Sequence, residues 1–139
     1  HGYAKDNQQV FKRYLVPGKP GYTRQQWATL ADALTWISAA GGVAVLAHPA
    51  RYKMGHDAMK VLLTLFKQFG GAAIEVITSN HTASQVAQFA CLAEKFDLMG
   101  SVGSDFHSAA SGHIGLGGNP ALPAFIKPVW SRWFDESKM

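Results

Sequence analysis

Leu98-Met99-Gly100-Ser101-Val102-Gly103-Ser104-Asp105-Phe106-His107 is the stretch that decides the fold. Its first half is a short apolar run of strand length. Its second half carries an acid and an imidazole two residues apart, flanked by small residues that let the backbone turn. In an extended segment, residues i and i+2 point to the same side, so Asp105 and His107 are expected to reach one ion together. A second block has the same form. Val43-Ala44-Val45-Leu46-Ala47 runs into His48-Pro49. Pro49 disfavours helical geometry at the residue before it, so His48 is expected to be extended, with its imidazole beyond the strand.

Working outward, helix and strand signals alternate. Thr23 with Gln26 reads as a capping box, and Trp27, Leu30, Ala31, Leu34 and Ile37 follow at helical spacing until Gly41-Gly42. Residues 43–47 read as a strand apolar on both faces, as in a parallel sheet. Asp57 is expected to cap a second helix with Leu62, Leu65, Phe66 and Phe69 on one face, ended by Gly70-Gly71. Residues 72–77 form the next strand. Thr82 with Gln85 is another capping box, opening a helix through Val86, Phe89, Ala90 and Ala93 to about residue 96. Residues 98–102 are the third strand. This alternation predicts an α/β architecture of about three parallel βα units with right-handed crossovers. Residues 11–15 read as a short helix, 16–21 as a turn-rich connector, 108–123 as a long loop, and 122–134 as a closing strand or short helix.

Active sites of parallel α/β folds gather at the carboxyl ends of strands. His48, the segment Thr78-Ser79-Asn80-His81, and Asp105 with His107 all lie just past predicted strands. They therefore converge on one face. An aspartate with histidines is a mixed oxygen and nitrogen donor set that suits Mn, Fe or Zn better than Ca. Arg51 and Lys53 follow His48 and can neutralise a phosphate. Glu75 is an acid inside an apolar strand. Burial of its charge demands a partner, either a ligand histidine or a salt bridge. Both readings remain open at this stage. His81 reads as opening a helix, a surface or substrate-facing residue rather than a metal ligand, and His56 and His113 receive no role.

Composition narrows the field. The chain has 139 residues, 47% of them hydrophobic, which suits one domain or part of one, and its net charge of +4 is compatible with an anionic substrate but, being spread along the chain, reads first as solvated helix faces. No apolar run approaches the roughly 20 residues needed to span a membrane. The start, His1-Gly2-Tyr3-Ala4-Lys5-Asp6, does not read as a signal peptide. A single cysteine, Cys91, excludes an intrachain disulfide and CxxC zinc sites, and fits a cytoplasmic setting. Gly115-Leu116-Gly117-Gly118-Asn119 lacks the ending of a phosphate loop. No G-x-S-x-G elbow is present.

Three blocks, residues 41–49 ending in Ala-His-Pro, Ile74-Glu75-Val76, and Gly103-Ser104-Asp105-Phe106-His107, resemble the carboxyl-terminal part of the polymerase and histidinol phosphatase (PHP) family of metal-dependent phosphoesterases. The resemblance is to its RNase AM, or 3′,5′-nucleotide bisphosphate phosphatase, branch. Residues 11–15 and 18–22 resemble that branch too. The resemblance implies a distorted (β/α)7 barrel with a cluster of divalent metal ions, Mn being favoured and Fe, Zn or Mg the alternatives. It implies that His48, Asp105 and His107 are metal ligands and catalytic residues, and that Arg51, Asn80 and His81 lie near a nucleotide or short RNA substrate. Residues 1–24 would be a remnant of a helical insertion or connector, and 25–139 the carboxyl-terminal part of the barrel.

The family's opening His-x-His block has no counterpart here, unless His1 is a remnant of it. The expectation is therefore a fragment that lacks the amino-terminal half of the barrel, is inactive alone, and self-associates through open sheet edges. Two rival readings are an amidohydrolase-like metal hydrolase and a non-catalytic half-barrel interaction module.

Overall fold

The computed structural model describes residues 2–24, 26–107 and 114–134. Its centre is a three-stranded parallel sheet in the order β1-β2-β3, formed by β1 (Val45–Leu46), β2 (Ala73–Thr78) and β3 (Met99–Gly103). Four helices are described: α1 (Asn7–Val10), which runs on into a π-helical turn over Phe11–Leu15, then α2 (Leu30–Ala39), α3 (His56–Gln68) and α4 (Ala83–Lys95). The α/β alternation is as the sequence predicts. His1 and His113 lie outside the described residues, as does the first part of the predicted loop at 108–123.

The crossover helices bury a single core. Met59, Leu63 and Phe66 of α3 and Phe89, Ala90 and Ala93 of α4 cluster with Leu46, Ile74 and Val76 of the sheet. The strand period of two then places Glu75 on the opposite face from its neighbours Ile74 and Val76. Glycines permit two close approaches. A β-carbon at Gly71 would meet the Phe66 ring at 2.3 Å, and one at Gly100 would meet Ile126 at 2.4 Å. Past Ile126, Pro128 makes a parallel bridge to Gly100, and a 3-10 turn spans Val129–Arg132. The predicted strand or short helix at 122–134 takes both forms in miniature.

Several boundaries differ from expectation. Helix α2 begins seven residues after Thr23. Its N-cap is Thr29, whose hydroxyl accepts from the Asp32 amide at 3.1 Å, and Trp27 is 83% exposed rather than on a buried helical face. Helix α3 is preceded by Gly55 with no side-chain cap. Asp57 instead sits in its first turn and pairs with Lys60. β1 is two residues long, because as the edge strand it is held from one side only, and Val45 is 37% exposed. The Thr82–Gln85 capping box is present in both directions. Left-handed Gly41 and Gly70 follow α2 and α3 as predicted.

Candidate functional site

Because the three strands are parallel, the segments that follow them share one edge of the sheet. His48 lies two residues past β1, Asn80 and His81 two and three past β2, and Asp105 and His107 two and four past β3. The structure joins the first and third of these directly. Arg51 Nη1 stands 2.6 Å from Asp105 Oδ2, an ion pair between the loop after β1 and the loop after β3. It is a contact of charges rather than an aligned hydrogen bond, since Asp105 Oδ2 is buried with no hydrogen-bond partner.

His48 is not extended. Its φ of 31° and ψ of 56° are left-handed. The Pro49 preference is overridden by a tertiary contact: the His48 backbone N–H donates to Glu75 Oε2 at 2.5 Å. Pro49 then opens a 3-10 turn, Pro49–Arg51, which aims Arg51 at Asp105. The His48 Nδ1 atom is buried with no hydrogen-bond partner. Tyr52 packs edge-on to the imidazole at 6.1 Å, and its hydroxyl donates to the Ala47 carbonyl at 2.8 Å. Burial, and then the Glu75 charge, push the Tyr52 phenol above its ordinary range.

The segment after β3 is not extended either. Asp105 has a φ of 49°, so the same-side rule does not apply to Asp105 and His107. His107 instead folds back, placing Nδ1 2.7 Å from the Asp105 backbone oxygen and 3.7 Å from Asp105 Oδ1. A carbonyl oxygen only accepts, so Nδ1 carries the proton. The Nε2 lone pair is then left outward, the tautomer that metal-binding histidines commonly adopt. His81 repeats the pattern. Its Nδ1 lies 2.9 Å from the Val76 carbonyl, its ring stacks on Phe89 at 5.0 Å, and its Nε2 is buried without a partner. Asn80 is exposed in the turn after β2.

Three further residues contribute, two of them, Tyr52 and Gly103, in roles the sequence did not indicate. Tyr52 braces His48. Thr78, 3% exposed, holds a partnerless hydroxyl at the end of β2. Gly103 makes room for Glu75, whose Oε1 would lie 1.9 Å from a β-carbon there. Of these, only Thr78 had a visible signal, its place at the head of the polar segment 78–81. Glu75 makes no salt bridge among the described residues, so of its two open readings the histidine partner is the one the geometry meets, through the His48 backbone. Tyr52 also lines a cavity of about 180 Å³ with Met54, Met59, Gln85 and Phe89.

No family model matches this chain. It is 44% identical over 129 residues to a 3′,5′-nucleoside bisphosphate phosphatase of Chromobacterium violaceum, a match covering 93% of this chain and 45% of that protein. It is 41% identical over 132 residues to a 5′-3′ exoribonuclease of Haemophilus influenzae, covering 95% and 48%. A phosphatase and an exoribonuclease both cleave phosphoester bonds. Among solved structures, a Chromobacterium violaceum protein called an amidohydrolase, with bound sulfate and no metal, superposes with a TM-score of 0.78 at 43% identity, covering 94% of this chain and 45% of that one. A Bifidobacterium adolescentis protein called a metal-dependent phosphoesterase shares the fold at a TM-score of 0.61 and 20% identity, covering 95% and 46%. The chain spans about half the length of the relatives it matches.

The residues at this edge fit a divalent cation in kind. A buried, partnerless imidazole nitrogen on His48, a carboxylate on Asp105 and an available Nε2 on His107 are suitable donors. Among the described residues, no group of three or more His, Cys, Asp or Glu side chains stands together in a way that could hold a metal ion.

Proposed function

We propose that this chain supplies the carboxyl-terminal part of a PHP-type phosphoesterase, built on a distorted (β/α)7 barrel, that hydrolyses phosphoesters of nucleotides or short RNA. One observation carries the reading. Three buried polar atoms without hydrogen-bond partners, His48 Nδ1, Thr78 Oγ1 and His81 Nε2, together with Asp105 Oδ2, which meets only the Arg51 charge, belong to residues at or just past the carboxyl ends of the three parallel strands, while a fifth such atom, Asn119 Oδ1, lies outside them. Buried polar groups are normally paired, so a cluster of unpaired ones along one edge is what a ligand site leaves behind.

In this reading His48, Asp105 and His107 hold divalent metal, Mn being favoured and Fe, Zn or Mg the alternatives. Bound there, the ions supply Lewis acidity for water activation and neutralise charge at the phosphoryl group. The other side chains bind and orient. Arg51, paired with Asp105 in the free chain, exchanges that carboxylate for nonbridging phosphate oxygens when metal and substrate bind, for which planar forked donors are well matched. His81 Nε2 accepts from a substrate hydroxyl, and Asn80 reaches the exposed part of the nucleotide. Residues 1–24 act as a connector or insertion remnant, and residues 25–139 as barrel. The remaining metal ligands come from sequence that corresponds to the other half of the relatives, so the isolated chain does not turn over.

The amidohydrolase name of one solved relative favours a second reading, hydrolysis of carbon–nitrogen bonds by the same donors. A chimera separates the two. This chain replaces the matching part of the Chromobacterium bisphosphate phosphatase, and the product is assayed with Mn²⁺ on a nucleoside 3′,5′-bisphosphate, on 5′-phosphorylated RNA and on an amide panel. Phosphate release that falls by orders of magnitude in His48→Ala and Asp105→Ala is the expected result. Amide turnover without phosphate release, or full activity in both variants, overturns the proposal, as does turnover by the isolated chain for the part that concerns incompleteness.

A further inference from the structure

We infer that Glu75 is a positioning residue, one carboxylate that fixes the backbone of His48 and at the same time spaces the end of β3 that carries Asp105. The inference rests on the proposed metal-dependent reading of this edge and adds a residue to it. Three observations meet in one side chain. Glu75 Oε2 accepts the His48 N–H at 2.5 Å. The residue so held is left-handed and precedes a proline, a conformation that local preferences oppose. The second oxygen, Oε1, packs where a β-carbon of Gly103 would stand, 1.9 Å from that position.

The carboxylate thus spans the sheet edge from the loop after β1, past β2, to the last residue of β3. Glu75 sits in the middle strand, paired through the backbone with Ser101, so its reach in both directions is set by the sheet itself. Strand alternation keeps it off the apolar face where Ile74 and Val76 are buried. Its charge is neutralised by no cation among the described residues, and the His48 amide is the partner it has instead. An acid in this place has little structural use compared with an apolar side chain. Its use is geometric. It fixes the backbone of His48 in the same loop whose Arg51 pairs with Asp105, and the absence of a side chain at Gly103 lets it do so.

The test uses Glu75→Gln in this chain, with two readouts. The first is amide hydrogen exchange at His48. In the wild type this amide is protected although it lies in a loop; in the variant, a neutral acceptor lowers the protection about tenfold while the melting temperature stays near wild type. The second is Mn²⁺ affinity, measured with and without Glu75→Gln in the chimera with the Chromobacterium phosphatase so that the ligands of the other half are present, which falls about 10- to 100-fold, as is usual for groups that orient a ligand. A protected His48 amide that is unchanged by the substitution overturns the inference. So does an unprotected His48 amide in the wild type, which needs no variant at all. If the wild type shows the amide effect and the chimera binds no Mn²⁺, the metal reading fails while the backbone clamp stands as a structural device and the positioning role is refuted.

Discussion

Replacing Gly103 by alanine probes the site through a single methyl group. Gly103 is not among the residues with positive φ, so its backbone accepts alanine and only space opposes it. The new carbon would lie 1.9 Å from Glu75 Oε1, whereas real β-carbon contacts essentially never fall under 3.0 Å. The carboxylate must therefore retreat by about 1.1 Å, the difference between those two distances. The bond from His48 N–H to Oε2, now 2.5 Å, then stretches beyond the ordinary range of about 3.2 Å. Loss of a hydrogen bond to a charged group amounts to about 2 kcal/mol, or roughly 8 °C in melting temperature for a domain of this size. Urea denaturation of wild type, Gly103→Ala, Glu75→Ala and the double variant gives the coupling directly. Alanine at 103 should cost about 2 kcal/mol beside Glu75 and close to nothing in its absence. Equal costs in both backgrounds refute the contact.

Three further outcomes follow from the scaffold. Leu63→Ala removes a fully buried α3 side chain and should destabilise the fold by about 3 kcal/mol in chemical denaturation. Thr82→Ala deletes a capping box that is present in both directions and should cost about 1 kcal/mol, with the loss localised to α4 by hydrogen exchange. Lys67 bonds the Asp97 side chain at 2.9 Å, and this hydrogen bond, followed by the lysine charge, holds the Asp97 carboxyl below its ordinary value. The stabilisation is therefore present above the ordinary carboxylate pKa and lost as pH falls through the lowered one. Lys67→Met should raise the Asp97 pKa in an NMR titration, and its small stability deficit at neutral pH should vanish in acid.

What the sequence disclosed, and what it hid, divides along the range of the forces involved. The α4 capping box, the glycine stops after α2 and α3, and strands β2 and β3 to within a residue are set by neighbours in the chain, and all were legible. The start of α2 was not, because Thr23 with Gln26 and Thr29 with Asp32 offer the same local signal, and only tertiary packing separates them. β1 shrank to two residues because an edge strand is bonded on one side. The site shows the limit most clearly. Placing His48, Asn80, His81, Asp105 and His107 on one sheet edge needed only the strand alternation. The left-handed turns at His48 and Asp105 break the local rules, the first through a bond from a residue 27 positions away and the second beside an ion pair with Arg51. Neither contact leaves a trace in local sequence.

If the loops after β1 and β3 serve one cation, Mn²⁺ titration followed by NMR of the histidine ring protons reveals it. His48 and His107 should broaden together at the same Mn²⁺ concentration, ahead of His56 at the start of α3. Broadening of His107 with His48 untouched, or of all histidines alike, would contradict it.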